Sequence, residues 1–322
     1  MAGAALTGTA LTTGCDGDRV LLHNSVLPGP TAAIAIGGDG DDIHVQRTDG
    51  TLARLATRNG RELEVFDPLT TEPERLLDLY EADGNARALA VSDDALFIWR
   101  DSLAEEPLRQ DADGGAGVVY GAFCGGGFVI VRPPFIEEGD EDPEAPPCQA
   151  EFHIDDDVFE VALPEEACET TGALAADPLE PVAWLAGQES AWLLTPDDVT
   201  TLDSAGDMAV FDPTINGVVI GLRGGRELEA WAADGTSPWY IRLNQEIRGI
   251  TSLGTAGAIA IITSPGVGGT ISLLDAATGD GIMASATPTV GKTISGSQNG
   301  DMLALGLNNE VHTFLVRLRN GK

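Results

Sequence analysis

The chain is cut into short β-type runs by Asp-Gly and Asn-Gly dipeptides, and this punctuation limits its fold more than any other feature. Runs rich in Val, Ile, Leu and aromatics lie at 33–36, 43–46, 96–99, 128–131, 191–194, 218–222, 258–262, 271–274 and 311–316. Between them fall Asp49-Gly50, Asn59-Gly60, Asp83-Gly84, Asn216-Gly217, Asp234-Gly235, Asp280-Gly281 and Asn299-Gly300. Such dipeptides supply the positive φ angles that tight hairpin turns require. Helical periodicity is scarce, and 40 glycines with 18 prolines suit many turns and few helices. The pattern predicts strand after strand joined by hairpins, an all-β meander.

The meander has a period. Trp231-Ala232-Ala233-Asp234-Gly235-Thr236 is echoed by Leu274-Asp275-Ala276-Ala277-Thr278-Gly279, which puts Gly235 and Gly279 44 positions apart. The phrase GRELE occurs at 60–64 and again at 225–229, an offset of 165, and VFDP at 65–68 returns at 210–213. Units of about 40 residues with four short strands are the signature of a β-propeller blade. Residues 31–318 have room for seven blades of about 41 residues, with six or eight as alternatives. Ring closure needs a blade shared by both chain ends, and residues 20–23 and Glu310–Leu318 are suitable partners, since pairing them hides exposed strand edges. A two-domain β-sandwich would explain the hairpins but not the period. The twin GRELE phrases then read as matching strand entries four blades apart, with Leu63 and Leu228 facing the core between blades.

"LLDAATGDG" and "LEAWAADGTSPW" resemble the strand-turn elements of quinoprotein-like and YVTN-type propeller repeats, the broader group that includes WD-type blades. The likeness is clearest over 205–318 and fainter over 31–131. It implies a fold, not an activity. The quinoprotein tryptophan-docking pattern is incomplete, so no quinone-site residues carry over. One segment breaks the period: 132–147 contains PPFIEEGDEDPEAPP, with six carboxylates within 137–144, and is expected to be a solvated surface excursion. The expected organisation is an N-terminal segment over 1–19 and one propeller domain over 20–322.

Charge narrows the partners. Against 18 Lys and Arg stand 51 Asp and Glu, a net charge of −33 that repels phosphate backbones and anionic lipid. Nucleic acid is therefore not an expected partner, a membrane is expected only through a lipid anchor, and protein partners with cationic surfaces are favoured. The N-terminal stretch MAGAALTGTALTTGCDGD is uncharged up to Gly14-Cys15 and then acidic. It resembles the tail of a bacterial lipoprotein signal, which implies export and lipidation of Cys15. No segment reaches 18 consecutive apolar residues, the length of a spanning helix. Cys124, Cys148 and Cys168 form no CxxC pair. Between Cys148 and Cys168 lies a strand, acidic turn, strand pattern that returns its ends together, so Cys148–Cys168 is the preferred disulfide and Cys124–Cys148 the runner-up.

Candidate chemistry is sparse. Gly37-Gly38-Asp39-Gly40-Asp41-Asp42 fits the start of a nonapeptide calcium repeat, making Asp39, Asp41 and Asp42 the candidate ligands of a calcium ion. It occurs as one copy, where that motif works by stacking several, so an acidic turn is the competing reading and no other cofactor is expected. Residues 286–293 match a relaxed phosphate-loop pattern, but turn and strand residues follow where a helix is needed. His153 with Asp155 and Asp157 would share a face only if the strand ran through them, and a triple Asp more often makes the turn itself. With 51 acids, a carboxylate pair spaced for glycoside hydrolysis arises by chance. Trp99, Trp184, Trp192, Trp231 and Trp239 fit packing between blades better than a sugar-stacking rim. The sequence thus favours a non-catalytic, exported propeller that binds proteins or scaffolds an assembly at a bacterial envelope. The alternative is a propeller enzyme of glycoside hydrolase or lactonase type with a carboxylate or calcium centre on the axis.

Overall fold

The computed structural model describes residues 19–28, 33–36, 41–46, 51–57, 61–66, 75–82, 85–92, 95–100, 103, 106–111, 117–133, 148–168, 172–264, 268–287, 291, 293–306 and 310–318. They form seven four-stranded antiparallel sheets. The first strand, β1 (Arg19–Pro28), belongs to the last blade. Blade 1 is β2 (Ala33–Ile36), β3 (Asp42–Gln46), β4 (Leu52–Ala56) and β5 (Glu62–Phe66). Blade 2 is β6 (Arg75–Ala82), β7 (Asn85–Val91), β8 (Ala95–Trp99) and β9 (Leu108–Asp111). Blade 3 is β10 (Tyr120–Cys124), β11 (Gly127–Arg132), β12 (Cys148–Ile154) and β13 (Asp157–Leu163). Blade 4 is β14 (Ala173–Ala176), β15 (Ala183–Ala186), β16 (Ala191–Leu194) and β17 (Val199–Leu202). Blade 5 is β18 (Met208–Asp212), β19 (Gly217–Gly221), β20 (Glu227–Ala232) and β21 (Trp239–Arg242). Blade 6 is β22 (Glu246–Ser252), β23 (Ala258–Ser264), β24 (Gly269–Asp275) and β25 (Gly281–Thr287). Blade 7 is β26 (Thr293–Gly296), β27 (Met302–Gly306), β28 (Glu310–Leu318) and the N-terminal β1.

Closure follows the expected route. β1 runs antiparallel to β28, with Val20 opposite Arg317 and His23 opposite Phe314. The first strand of each blade touches that of the next, and β26 touches β2, so the ring has no open end. Seven buried clusters each bridge two neighbouring blades; Met302, Ala304 and Val311 of blade 7 pack on Ile36, Ile43 and Val45 of blade 1. A β-propeller with seven blades is the observed architecture.

Strand composition follows radial position. Middle strands lie between two neighbouring sheets, so both faces need apolar side chains and the alternation disappears. β8 (ALFIW), β16 (AWLL) and β19 (GVVIG) are buried throughout. Outer strands such as β13 expose most of their length. Inner strands crowd around the axis and use small residues: a Cβ built at Gly296 of β26 would stand 2.2 Å from the Ser252 carbonyl oxygen of β22. All five tryptophans are buried packing residues, Trp184 completely.

Among the described residues, Asn216-Gly217, Asp234-Gly235, Asp280-Gly281 and Asn299-Gly300 stand at hairpins between strands of one blade. Asn216, with φ 45°, turns β18 into β19, and Gly235, with φ 78°, turns β20 into β21. The triple Asp also makes a hairpin turn, with Asp155 at φ 54° between β12 and β13. The phosphate-loop match leads into the strand β26, without the helix that chemistry needs. Cys148 and Cys168 are joined by a disulfide with Cα atoms 5.7 Å apart. It ties the start of β12 to the short 3₁₀ turn Glu165–Cys168 that follows β13.

The GRELE expectation is corrected. Its copies do sit four blades apart, but Leu63 is on the outer strand β5 and 40% exposed, whereas Leu228 is on the third strand β20 and 1% exposed. The same letters serve two radial positions: Leu63 stands on an outer strand open to solvent, and Leu228 is packed with Met208, Val219 and Ile261 between blades 5 and 6. VFDP behaves alike: Val65 is on an outer strand and Val210 on an inner one.

Candidate functional site

The inner strands converge on a cavity of about 860 Å³ at one mouth of the channel. It opens on the face where first strands turn into second ones and third into fourth. Its wall combines Tyr80, Phe123 and Phe211 with small residues of β10, β14 and β18. The Gln298 side-chain amide donates to the Tyr80 hydroxyl at 2.9 Å, linking blades 2 and 7, which are not neighbours.

One turn of the rim is built differently. The segment between β14 and β15 is pinned from both sides: the Asp177 carboxylate accepts the Leu179 and Glu180 amides at 2.8 and 3.3 Å. The Gly125 and Gly126 amides of blade 3 donate to the Asp177 and Pro178 carbonyls at 3.0 and 2.9 Å. Pro178 and Pro181 further restrict the backbone. This fixed turn carries Leu179 with 83% of its surface in solvent. An apolar side chain presented to water from a fixed backbone adds no burial to the fold.

The same face is acidic. Exposed Asp155, Asp156, Glu180, Asp197, Asp198, Asp234, Asp280 and Asp301 stand on its turns, against exposed Arg61 and Arg100 among the described residues. Two carboxyls lie deeper. Asp78 of β6 lines the cavity and accepts the Phe123 amide at 2.9 Å; burial raises its pKa, and backbone hydrogen bonds only partly oppose this. Burial likewise raises Asp212 of β18, although Ser252 donates to it at 2.5 Å and the Thr214 amide at 2.8 Å. Ser252 in turn accepts the Gly254 amide at 2.9 Å, so these groups order the rim from below.

The expected site residues are distributed as follows. Cys15 and Asp39 lie outside the described residues, as does the acidic loop over 134–147. Asp42 is buried on β3 and its carboxylate is ion-paired with Arg54, while Asp41 is exposed and gives its carbonyl to the Thr57 amide at 3.1 Å. No group of three or more His, Cys, Asp or Glu is placed to hold a metal among the described residues. His153 stacks on Phe128 at 4.4 Å and faces Glu151 at 3.4 Å. Cys124 is buried, and burial, assisted by the Asp177 charge, pushes its thiol up to about 12, which removes it as a nucleophile.

Sequence reasoning missed a buried ionic cluster in blade 3. Glu151 receives Arg132 at 2.6 Å, Gln149 at 2.7 Å and His153. Burial alone would raise its pKa, but the three hydrogen bonds and the Arg132 charge outweigh it and hold the carboxyl at about 2. The signal for it was a Gln-x-Glu-x-His alternation on a strand otherwise expected to be apolar.

The architecture defines a seven-bladed propeller of the kind seen in WD40 structures. No family model and no curated protein sequence matches the chain. Solved structures do. The Cps50 (Swd1) β-propeller domain of Myceliophteria thermophila superposes with a TM-score of 0.67 at 11% identity, covering 92% of this chain and 99% of that one. The RRP9 WD40 repeats give 0.62 at 14% identity, covering 97% and 99%. BBS1N, solved in complex with ARL6DN, gives 0.63 at 11% identity, covering 92% and 97%. At such identities the similarity is one of fold.

Proposed function

We propose that this chain is a non-catalytic interaction module that docks a partner protein on the acidic channel mouth, with Leu179 as the apolar anchor. The observation carrying this reading is the pinned turn that holds Leu179 in solvent beside a cavity. The partner segment is basic, because the rim is acidic and the chain carries −33 overall. The propeller neighbours agree with a protein partner, since BBS1N was itself solved bound to a protein. Export is part of the proposal: a disulfide persists in oxidising compartments, and the Gly14-Cys15 stretch resembles a lipidation site. Lipid on Cys15 would hold the ring at the bacterial envelope; Cys15→Ser then releases the protein from the membrane fraction, and unchanged partitioning contradicts the anchor.

The docking reading is tested by capture from the source cells with the wild type and Leu179→Asp in parallel. A partner identified by mass spectrometry on the wild type and absent from the variant supports it; identical partner sets overturn it. A second reading, a hydrolase of glycosidase or lactonase type, is favoured by Asp78 alone, a cavity carboxyl with a raised pKa. Turnover of such substrates that Asp78→Asn abolishes would establish that reading instead.

A further inference from the structure

Arg54, Arg132, Arg223, Arg242 and Arg248 each stand within ion-pair distance of a carboxylate, as expected where acids outnumber bases almost threefold. Arg87 does not. It sits on β7 directly opposite Tyr80 of β6, half-buried, and its Nε is sealed from solvent with no hydrogen-bond partner. A guanidinium carries its donors in a fixed fork and keeps its charge at any ordinary pH, so it cannot neutralise itself by losing a proton.

Among the described residues, its neighbours leave it without an anion. Arg87 alternates with Leu89 and Val91, the residues that β7 packs against Phe123, Phe128 and Ile130 of blade 3. The carboxyl on the next rung of that face, Asp78 opposite Leu89, is already held by the Phe123 amide. On the other side, Ala88 pairs with Trp99, the last residue of β8, so Arg100 leaves the strand one position beyond that rung, on the side of Arg87. Cross-strand neighbours have Cβ atoms about 5 Å apart, and like charges so placed repel unless something negative lies between them. Arg100 is exposed, and among the described residues no carboxylate is paired with it.

We propose that Arg87 and Arg100 form an oxyanion site at the seam of blades 2 and 3, beside the channel mouth. Two guanidiniums at neighbouring strand ends suit one carboxylate or phosphate group, which accepts from both forks at once. A peptide carboxylate and an inorganic phosphate offer the same oxygens to such a pair, and the test separates them. The site stands on its own observation and does not depend on a basic segment docking at Leu179.

The test follows the Nε–Hε NMR signal of Arg87 in the full chain, at about 0.15 M salt, where the Debye length of about 8 Å screens the overall negative field. Inorganic phosphate and a capped hexaglutamate peptide are titrated separately. A saturable shift with either establishes the site; peptide alone identifies a carboxylate ligand, and phosphate alone a small tetrahedral anion. Arg87→Met and Arg100→Met should each weaken binding about tenfold or more, and Arg87→Lys should weaken it less, because it keeps charge and loses the fork. If Arg87→Met fails to fold, Arg100→Met and Arg87→Lys carry the comparison. No shift with either anion up to millimolar concentration, or undiminished binding by Arg100→Met, overturns the proposal. Capture through the Leu179 surface should be unchanged in these variants, so the two readings fail separately.

Discussion

The two GRELE phrases share five letters and differ in structural role, while the turns around Gly235 and Gly279 share few letters and have the same role. Each of those glycines closes the hairpin between third and fourth strands of consecutive blades, at φ 78° and 74°. The repeat in this protein is therefore a repeat of backbone geometry at defined radial positions. Identity between side chains is informative only where burial is also repeated.

This contrast can be broken most sharply at Leu228 and Leu63. Leu228→Ala should cost about 2–5 kcal/mol, the range for truncating a fully buried leucine, measured by urea denaturation. A loss below that range would mean the third strand of blade 5 is not packed as described.

Next in size is a glutamate that occupies in blade 3 the place Glu229 of the second phrase occupies in blade 5. Glu151 lies opposite Ile130 and Glu229 opposite Ile220, but Glu151 is 3% exposed and held by Arg132, whereas Glu229 is half-buried and accepts from Ser237 at 3.0 Å. The folded pKa of Glu151, about 2, lies below its ordinary 4.5. Its ionised form thus stabilises the fold fully above pH 4.5, and this contribution disappears as pH falls toward 2. The stake is about 3 kcal/mol. Glu151→Gln should remove that part of the acid dependence in stability measured from pH 5 to 2, and an unchanged curve would contradict the buried pair.

The glycine turns give a smaller, paired effect. Gly235→Ala meets no atom within 4 Å and should cost about 1–2 kcal/mol for positive φ alone. Gly279→Ala should cost more, because its Cβ would stand 2.9 Å from the Trp239 ring, which is fixed by its own hydrogen bond to the Ala276 carbonyl at 2.7 Å. Equal melting shifts would remove Trp239 from the turn. Smallest of all is Leu63→Ala on the exposed outer strand, expected within about 0.5 kcal/mol of the wild type.

The fold was legible because hairpin turns and blade length are local properties. Strands at 33–36 and 191–194 are legible to the residue, because Gly29-Pro30 and Gly37 flank the first apolar run and Gly187 and Pro196 the second. The radial place of a strand was less legible: Leu63 and Leu228 occur in one sequence context, and only the neighbouring blade decides which is covered. The channel mouth could not be read at all. Its Tyr80–Gln298 link joins residues separated by 218 positions, and Leu179 looks like any loop leucine until the Asp177 carboxylate and the Gly125-Gly126 amides are seen to pin it.

Hydrogen exchange on the intact chain, with and without a Lys- and Arg-rich peptide, tests the docking surface most directly. Protection confined to the Asp177–Val182 turn and the adjoining ends of β10, β18 and β26, and lost in Leu179→Asp, is the expected result. Protection spread evenly over the acidic surface, or kept in Leu179→Asp, would show that the peptide responds to charge alone and that the channel mouth is not a docking site.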